Sequence, residues 1–254
     1  MSMQTRDIQW GELKGIRKFE HAHELPEEYR DFLLKLLWVQ ADTEFASVQQ
    51  HRPWLDTAPS FEDRWVEARI IADEMRHGWQ MVKLLEDFGE DGQYYIKDLM
   101  GRKEHEHKLD SFNMDFETWE DVAAFACLVD RVGLYQLRSF QECSYAPLAR
   151  AIPQMLTEEN LHIGAGRNTL NRIANDDAYY GNKALAQQAV NKWYPRALDM
   201  FGHSGSSGSE KAVQLGIKRW RNEEARQMYI EEATPIIEKI GLEVPDENAD
   251  RRVN

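Results

Sequence analysis

The sequence predicts an all-α chain, a four-helix bundle followed by a helical C-terminal extension. Glycine and proline are sparse, 15 and 8 in 254 residues, and they gather between long stretches whose apolar residues recur at the 3.6-residue helical period. Alternating Val/Ile/Thr runs of the strand type are nearly absent. A chain of this length can bury a full core as one domain without disulfides or a structural zinc.

Residues 1–25 form a charged extension broken by Gly11 and Gly15, and the bundle is expected over 26–176. Its first helix runs over 26–51, from Pro26, a favourable first-turn residue, to His51, beyond which Pro53 blocks continuation. Ser60 followed by Asp63 resembles a capping box and opens the second helix, 60–88, antiparallel to the first. The stretch 89–114 is polar and glycine-broken, and it reads as the long crossover between two hairpins. Helices over 117–145 and 147–174 make the second hairpin, with Pro153 in the early turns of the latter or kinking it. The extension, 182–243, holds a helix from Asn182 to Met200, a flexible loop GHSGSSGSE, and a last helix from Lys211 to Ile240 ended by Gly241. Residues 244–254 are a polar, frayed tail.

Composition removes several function classes. Only Cys127 and Cys143 occur, with no C-x-x-C pair, so zinc ribbons, cysteine-ligated iron–sulfur clusters and a secreted disulfide framework lack their ligands; a reducing cytoplasm is expected. The N-terminal stretch has no signal-like apolar region and nowhere do 18 apolar residues run together, so no membrane is expected. A net charge of −13 argues against a nucleic-acid partner, which needs concentrated Lys and Arg.

The chemistry-bearing pattern is a repeated Glu-x-x-His. A pair of metal ions in a helical bundle needs one carboxylate from each of two helices and a Glu-x-x-His from each of the other two, because residues i and i+3 project from one face. Glu74/His77 and Glu159/His162 supply the pairs, and Glu44 and Asp130 the single carboxylates. Glu44 and Glu74 are 30 residues apart and Asp130 and Glu159 are 29 apart, about two helix halves and a turn, so each single carboxylate returns opposite its tetrad. All four acids sit on apolar stripes: Glu44 with Leu37 and Ala41, Glu74 with Ile70 and Met81, Asp130 with Ala126 and Leu134, Glu159 with Ile152 and Met155. Four unpaired carboxylates in a core would cost on the order of several kcal/mol each, and no matching inward Lys or Arg is evident, so two bound divalent cations are the economical reading. Oxygen-rich ligands with one nitrogen per metal suit two iron ions better than zinc.

Two further tetrads, Glu20/His23 and Glu104/His107, lie in charged stretches without an apolar stripe and read as solvated surface. Cys127, one turn from Asp130, reads as an apolar filler. Trp38, Phe45, Trp79, Phe125 and Tyr135 are either core or the walls of a pocket for a flat substrate. The basic run Lys218, Arg219, Arg221 is either a solvated helix face or a set of contacts to the phosphates of a nucleotide-bearing substrate.

The segments CLVDRVGLYQL, MLTEENLHIGAG and GIKRWRNEEARQMYIEEATPIIEKIGLEVPD resemble the phenylacetate-catabolism family of ferritin-like di-iron proteins, and the likeness runs from about residue 20 to 246. Asp130 at the third ligand position sets the chain apart from ferritins, which carry Glu there. The resemblance implies a di-iron centre that activates O2 and inserts one oxygen atom as an epoxide into the ring of phenylacetyl-CoA or another aryl-CoA thioester, the second oxygen leaving as water. It also implies, as partner, a homologous metal-free structural subunit; this chain is of the catalytic kind, since all six ligand positions are filled. No G-x-G-x-x-G loop and no cysteine cluster are present, so electrons from NAD(P)H must come through a separate ferredoxin/flavin-type reductase. The competing readings are a stand-alone di-iron hydroxylase or oxidase on another substrate, a non-enzymatic iron-binding protein, and a metal-free scaffold. The long chain after His162 argues against a storage cage.

Overall fold

The computed structural model describes residues 5–177, 179 and 182–253. The first four residues of the N-terminal extension and the last residue of the tail lie outside that set. The chain is an all-α bundle built from α1 (Glu27–His51), a short α2 (Trp54–Thr57), α3 (Phe61–Glu86), α4 (Glu90–Gly101), α5 (Trp119–Phe140), α6 (Ala146–Asn175), α7 (Lys183–Asp199), α8 (Ser207–Gln214) and α9 (Asn222–Ile240). Among the described residues the only extended pairing is two isolated bridges, Asp7 with Arg17 and Phe19 with Tyr145. Among the described residues no helix is long and apolar enough to cross a membrane.

Helices α1 and α3 pack as one hairpin and α5 and α6 as another, and the contact of α3 with α6 joins the two. Local chemistry sets the starts. Ser60 caps α3, its Oγ accepting the Asp63 N–H at 3.1 Å, and Thr118 does the same for α5 through the Asp121 N–H at 3.2 Å. Two glycines let each hairpin close tightly. A Cβ on Gly78 would lie 2.6 Å from the Phe45 ring of α1, and one on Gly166 would lie 2.6 Å from Ala126 of α5. Around this frame α7 and α9 cover α5 and α6, and α4 covers α1 and α3. The deepest packing surrounds Phe125, whose ring is met edge-on by Phe112, Phe116 and Trp193.

Four segments depart from expectation. The crossover 89–114 is not merely loop: it contains α4, which turns Leu99 inward and brings Tyr95 against Trp38 of α1. The glycine/serine stretch 202–210 is not a flexible loop throughout, since α8 begins at Ser207 with the Ser206 hydroxyl accepting from the Ser209 N–H. The expected helix Lys211–Ile240 is two helices, broken at Gly216, whose φ of 70° is open to glycine but costly elsewhere. The tail is tied rather than frayed, because Arg251 donates to Asp199 at 2.6 Å and the Arg252 N–H to the same carboxylate at 3.0 Å.

Candidate metal centre

Three of the four bundle helices bring their acids together. Glu44 comes from α1, Glu74 and His77 from α3, and Glu159 from α6; one ligand-type atom of each lies within 4.8 Å of the others, and all four are buried. His162, also on α6 and 1% exposed, adjoins this set, its Nδ1 at 3.3 Å from Glu74 Oε1. Asp130 of α5 is buried and lines the same cavity as Glu44, Glu74 and Glu159, yet stands outside the compact four.

The two imidazoles are oriented alike. His77 turns Nδ1 inward, 3.4 Å from Glu44 Oε2 and 3.2 Å from Glu159 Oε1, while its Nε2 meets Glu158 Oε2 at 2.9 Å. His162 turns Nδ1 toward Glu74 and toward Glu159 Oε2 at 3.8 Å, while its Nε2 meets Asp73 Oδ2 at 3.3 Å. Each outer carboxylate is fixed in turn by an arginine, Glu158 by Arg76 and Asp73 by Arg69 at 2.7 Å. Asp73 precedes Glu74 and Glu158 precedes Glu159, so each helix supplies the carboxylate that backs the other helix's histidine. Tetrad spacing alone does not single out these two acids, although each stands directly before a Glu-x-x-His, a pattern the surface tetrads at Glu20 and Glu104 lack.

The electrostatics show what such a set needs. Burial, reinforced by the charges of Glu159 and Glu44, pushes the Glu74 carboxyl well above its ordinary range. Burial likewise raises Asp130 to about 7. Burial would lower the imidazoles, but the adjacent carboxylates of Glu159 and Glu44 lift His77 to about 10, and those of Glu159 and Glu74 lift His162 to about 12. Glu159 would be raised by burial and is instead held near 2 by those two histidines. Without metal, then, protons on the imidazoles offset the packed carboxylates. The inward Nδ1 atoms of both histidines and Oδ2 of Asp130 nevertheless have no hydrogen-bond partner. Buried donors left without partners and aimed at a carboxylate cluster fit divalent cations, whose binding would displace those protons.

A cavity of about 410 Å³ runs from this cluster toward the surface. Its apolar wall includes Phe32, Val129, Phe140 and Phe201, and Lys218 also lines it. Trp38, Phe45, Trp79, Phe125 and Tyr135 do not line it. Phe125 is core, Phe45 packs on Gly78, Trp79 is exposed and Tyr135 donates to Glu232. The basic run is a connection rather than a helix face. Lys218 reaches the cavity, with burial lowering its ammonium to about 8, whereas Arg219 and Arg221 are exposed, Arg221 lying 3.8 Å from Glu210. Of the discounted tetrads, Glu20 pairs with Arg150 and Glu104 with Arg52, both at the surface. His107 is not solvated: it is buried, 3.0 Å from Asp42 and 3.0 Å from Gln49.

Residues 3–253 match the family described as phenylacetic acid catabolic protein. The chain belongs to that family. Two relatives agree with the match. One is the first-lettered subunit of the 1,2-phenylacetyl-CoA epoxidase of Escherichia coli (strain K12), 28% identical over 227 residues, 87% of this chain and 71% of the relative. The other is benzoyl-CoA oxygenase component B of Aromatoleum evansii, 35% identical over 173 residues, 66% of this chain and 36% of that longer relative. Both relatives are named as a subunit or component of an enzyme named for a CoA thioester.

Proposed function

We propose that this chain is the catalytic, di-iron subunit of a multicomponent monooxygenase that converts phenylacetyl-CoA, or a similar aryl-CoA thioester, to its ring-1,2-epoxide. The observation that carries the reading is the buried set of four acids and two imidazoles, with unpartnered Nδ1 atoms facing inward, at the end of a cavity able to admit a substrate. Glu44, Glu74, His77, Asp130, Glu159 and His162 would hold two iron ions, which when bound supply the redox chemistry of O2 activation. Glu159 faces one imidazole with each of its oxygens and would be a ligand common to both histidine arms.

The remaining work falls to the chain's own groups. Glu158 and Asp73 keep the Nε2 sides of the histidines occupied, so that Nδ1 faces the acid cluster and would be free to ligate. The apolar wall seats an aryl group beside the cluster and excludes bulk water. Lys218 offers a positive charge to the acyl-CoA further out, and Trp10 steadies it by donating to its carbonyl at 2.7 Å. Electrons arrive from NAD(P)H through a separate ferredoxin/flavin-type reductase, because the chain carries no dinucleotide loop or cysteine cluster. A homologous metal-free structural subunit completes the assembly, and exposed Phe61, Trp65 and Trp79 on α3 with Leu161 on α6 give it an apolar face to cover. A cavity reaching the cluster favours turnover of an organic substrate over iron sequestration.

Protein purified without chelator should carry about two irons per chain and should consume O2 and phenylacetyl-CoA together once a reductase is added. Iron without aryl-CoA turnover would move the reading to an oxidase acting on another substrate; absence of iron even after anaerobic reconstitution would end it.

A further inference from the structure

A glycine inside a helix costs stability relative to alanine, so a packed bundle gains from one only where a side chain has no room or where open space is needed. Gly78 and Gly166 have the first reason. A Cβ on either would lie 2.6 Å from a neighbouring helix, at Phe45 and Ala126 respectively. Gly133 does not. It lies well inside α5, and a Cβ there would meet a single atom within 4 Å, Glu159 Oε2 at 3.9 Å. Gly164 of α6 is equally open, with nothing within 4 Å, but it does not line the cavity.

Gly133 does line it, together with Val129, Asp130, Gln136 and Phe140 of the same helix. At spacings of three and four residues these positions share one face of α5. Gly133 is the one member of that face without a side chain, so it leaves a notch in the wall. The notch lies beside the Glu159 carboxylate and one turn from Asp130, and Glu44 and Glu74 line the same cavity. Bare backbone offers a flat surface there, with Val129 one turn before it and Phe140 two turns after it as apolar neighbours. A ring laid on that surface stands next to the acids, with no side chain between.

We propose that Gly133 is the specificity-determining position of this chain, the space left by its missing side chain being the seat of the aryl ring beside the acid cluster. This rests on the aryl-CoA reading, and the test separates the two. The full-length protein is titrated calorimetrically with phenylacetyl-CoA and with acetyl-CoA, which carries the same thioester and no ring. A wild type that binds neither, or both equally, would defeat the aryl-CoA reading itself and the seat with it. With phenylacetyl-CoA preferred by the wild type, Gly133→Ala should weaken its binding about 10- to 200-fold and leave acetyl-CoA unchanged, and Gly133→Leu should abolish the preference. Gly133→Ala should at the same time melt about 2–4 °C higher, since alanine favours the helix and meets no clash. Gly164→Ala, with the same gain away from the cavity, should leave both affinities unchanged. A preference retained in Gly133→Leu would overturn the proposal. So would a fall in metal content, read by elemental analysis, alongside the lost binding, because the gap would then serve Glu159 and not a ring. Should Gly133→Leu not fold, Gly133→Ala decides by the same two readings.

Discussion

The two halves of the centre are built from the same parts and differ by one methylene. In the α1/α3 half, Glu44 reaches the shared cluster and is steadied by Gln40 and His77. In the α5/α6 half its counterpart is Asp130, whose shorter side chain leaves it outside the compact four with an unpartnered oxygen. Burial raises Asp130 to about 7, whereas Glu159 on the same half is held near 2 by two imidazoles. Equal burial thus has opposite outcomes, decided by whether an imidazole stands against the carboxylate, as His77 and His162 do against Glu159 at 3.2 and 3.8 Å. One half sets its single carboxylate against an imidazole, and the other leaves a buried carboxylate oxygen without a partner.

The largest effect should come from the residue common to both halves. Glu159→Ala removes the carboxylate facing His77 and His162 together, and metal content measured by elemental analysis should fall from about two ions per chain to none. Next in size, Glu44→Ala should cost more affinity than Asp130→Ala in a Co(II) titration, because Glu44 already stands in the cluster; equal losses would erase the contrast. Smaller still, Glu158→Gln and Asp73→Asn should each weaken binding about 10- to 100-fold while leaving the ligands in place.

The smallest effect concerns pH in the metal-free protein, and its sign is fixed by the shifts. His77 and His162 are raised from 6.5 to about 10 and about 12, so the stability they give is whole below 6.5 and is lost as pH climbs through those values. Asp130 is raised from 3.8 to about 7, so its share is present below 3.8 and lost as pH rises through 7. Thermal melts of Asp130→Asn should therefore flatten the decline between about pH 4 and 7 and leave the alkaline decline intact. Metal reverses the trend, since it competes with these protons and binds better as pH rises.

Much of this is legible in the sequence where one signal speaks alone. Ser60 with Asp63 marks a helix start, Gly241 marks an end with φ 84°, and apolar stripes around Glu44, Glu74 and Glu159 announce an inward acid face. Legibility ends where two signals oppose. Gly89, Gly92 and Gly101 outweigh the inward pattern of Tyr95, Ile96 and Leu99, so α4 reads as loop, and the glycines and serines before Lys211 hide α8 in the same way. His107 looks solvated because its partners Asp42 and Gln49 lie some 60 residues away on α1, which local charge patterning cannot convey. Asp130 lies on an apolar stripe with the correct spacing, but its reach, one methylene short, is a matter of three dimensions.

If the buried cluster takes up two divalent ions, their entry expels imidazole protons. Calorimetric titration of ferrous iron into the metal-free protein, anaerobically at neutral pH and in two buffers of different ionisation enthalpy, reads stoichiometry and protons together. The account predicts two ions per chain with net proton release. A single ion, no binding, or binding without proton release would contradict it.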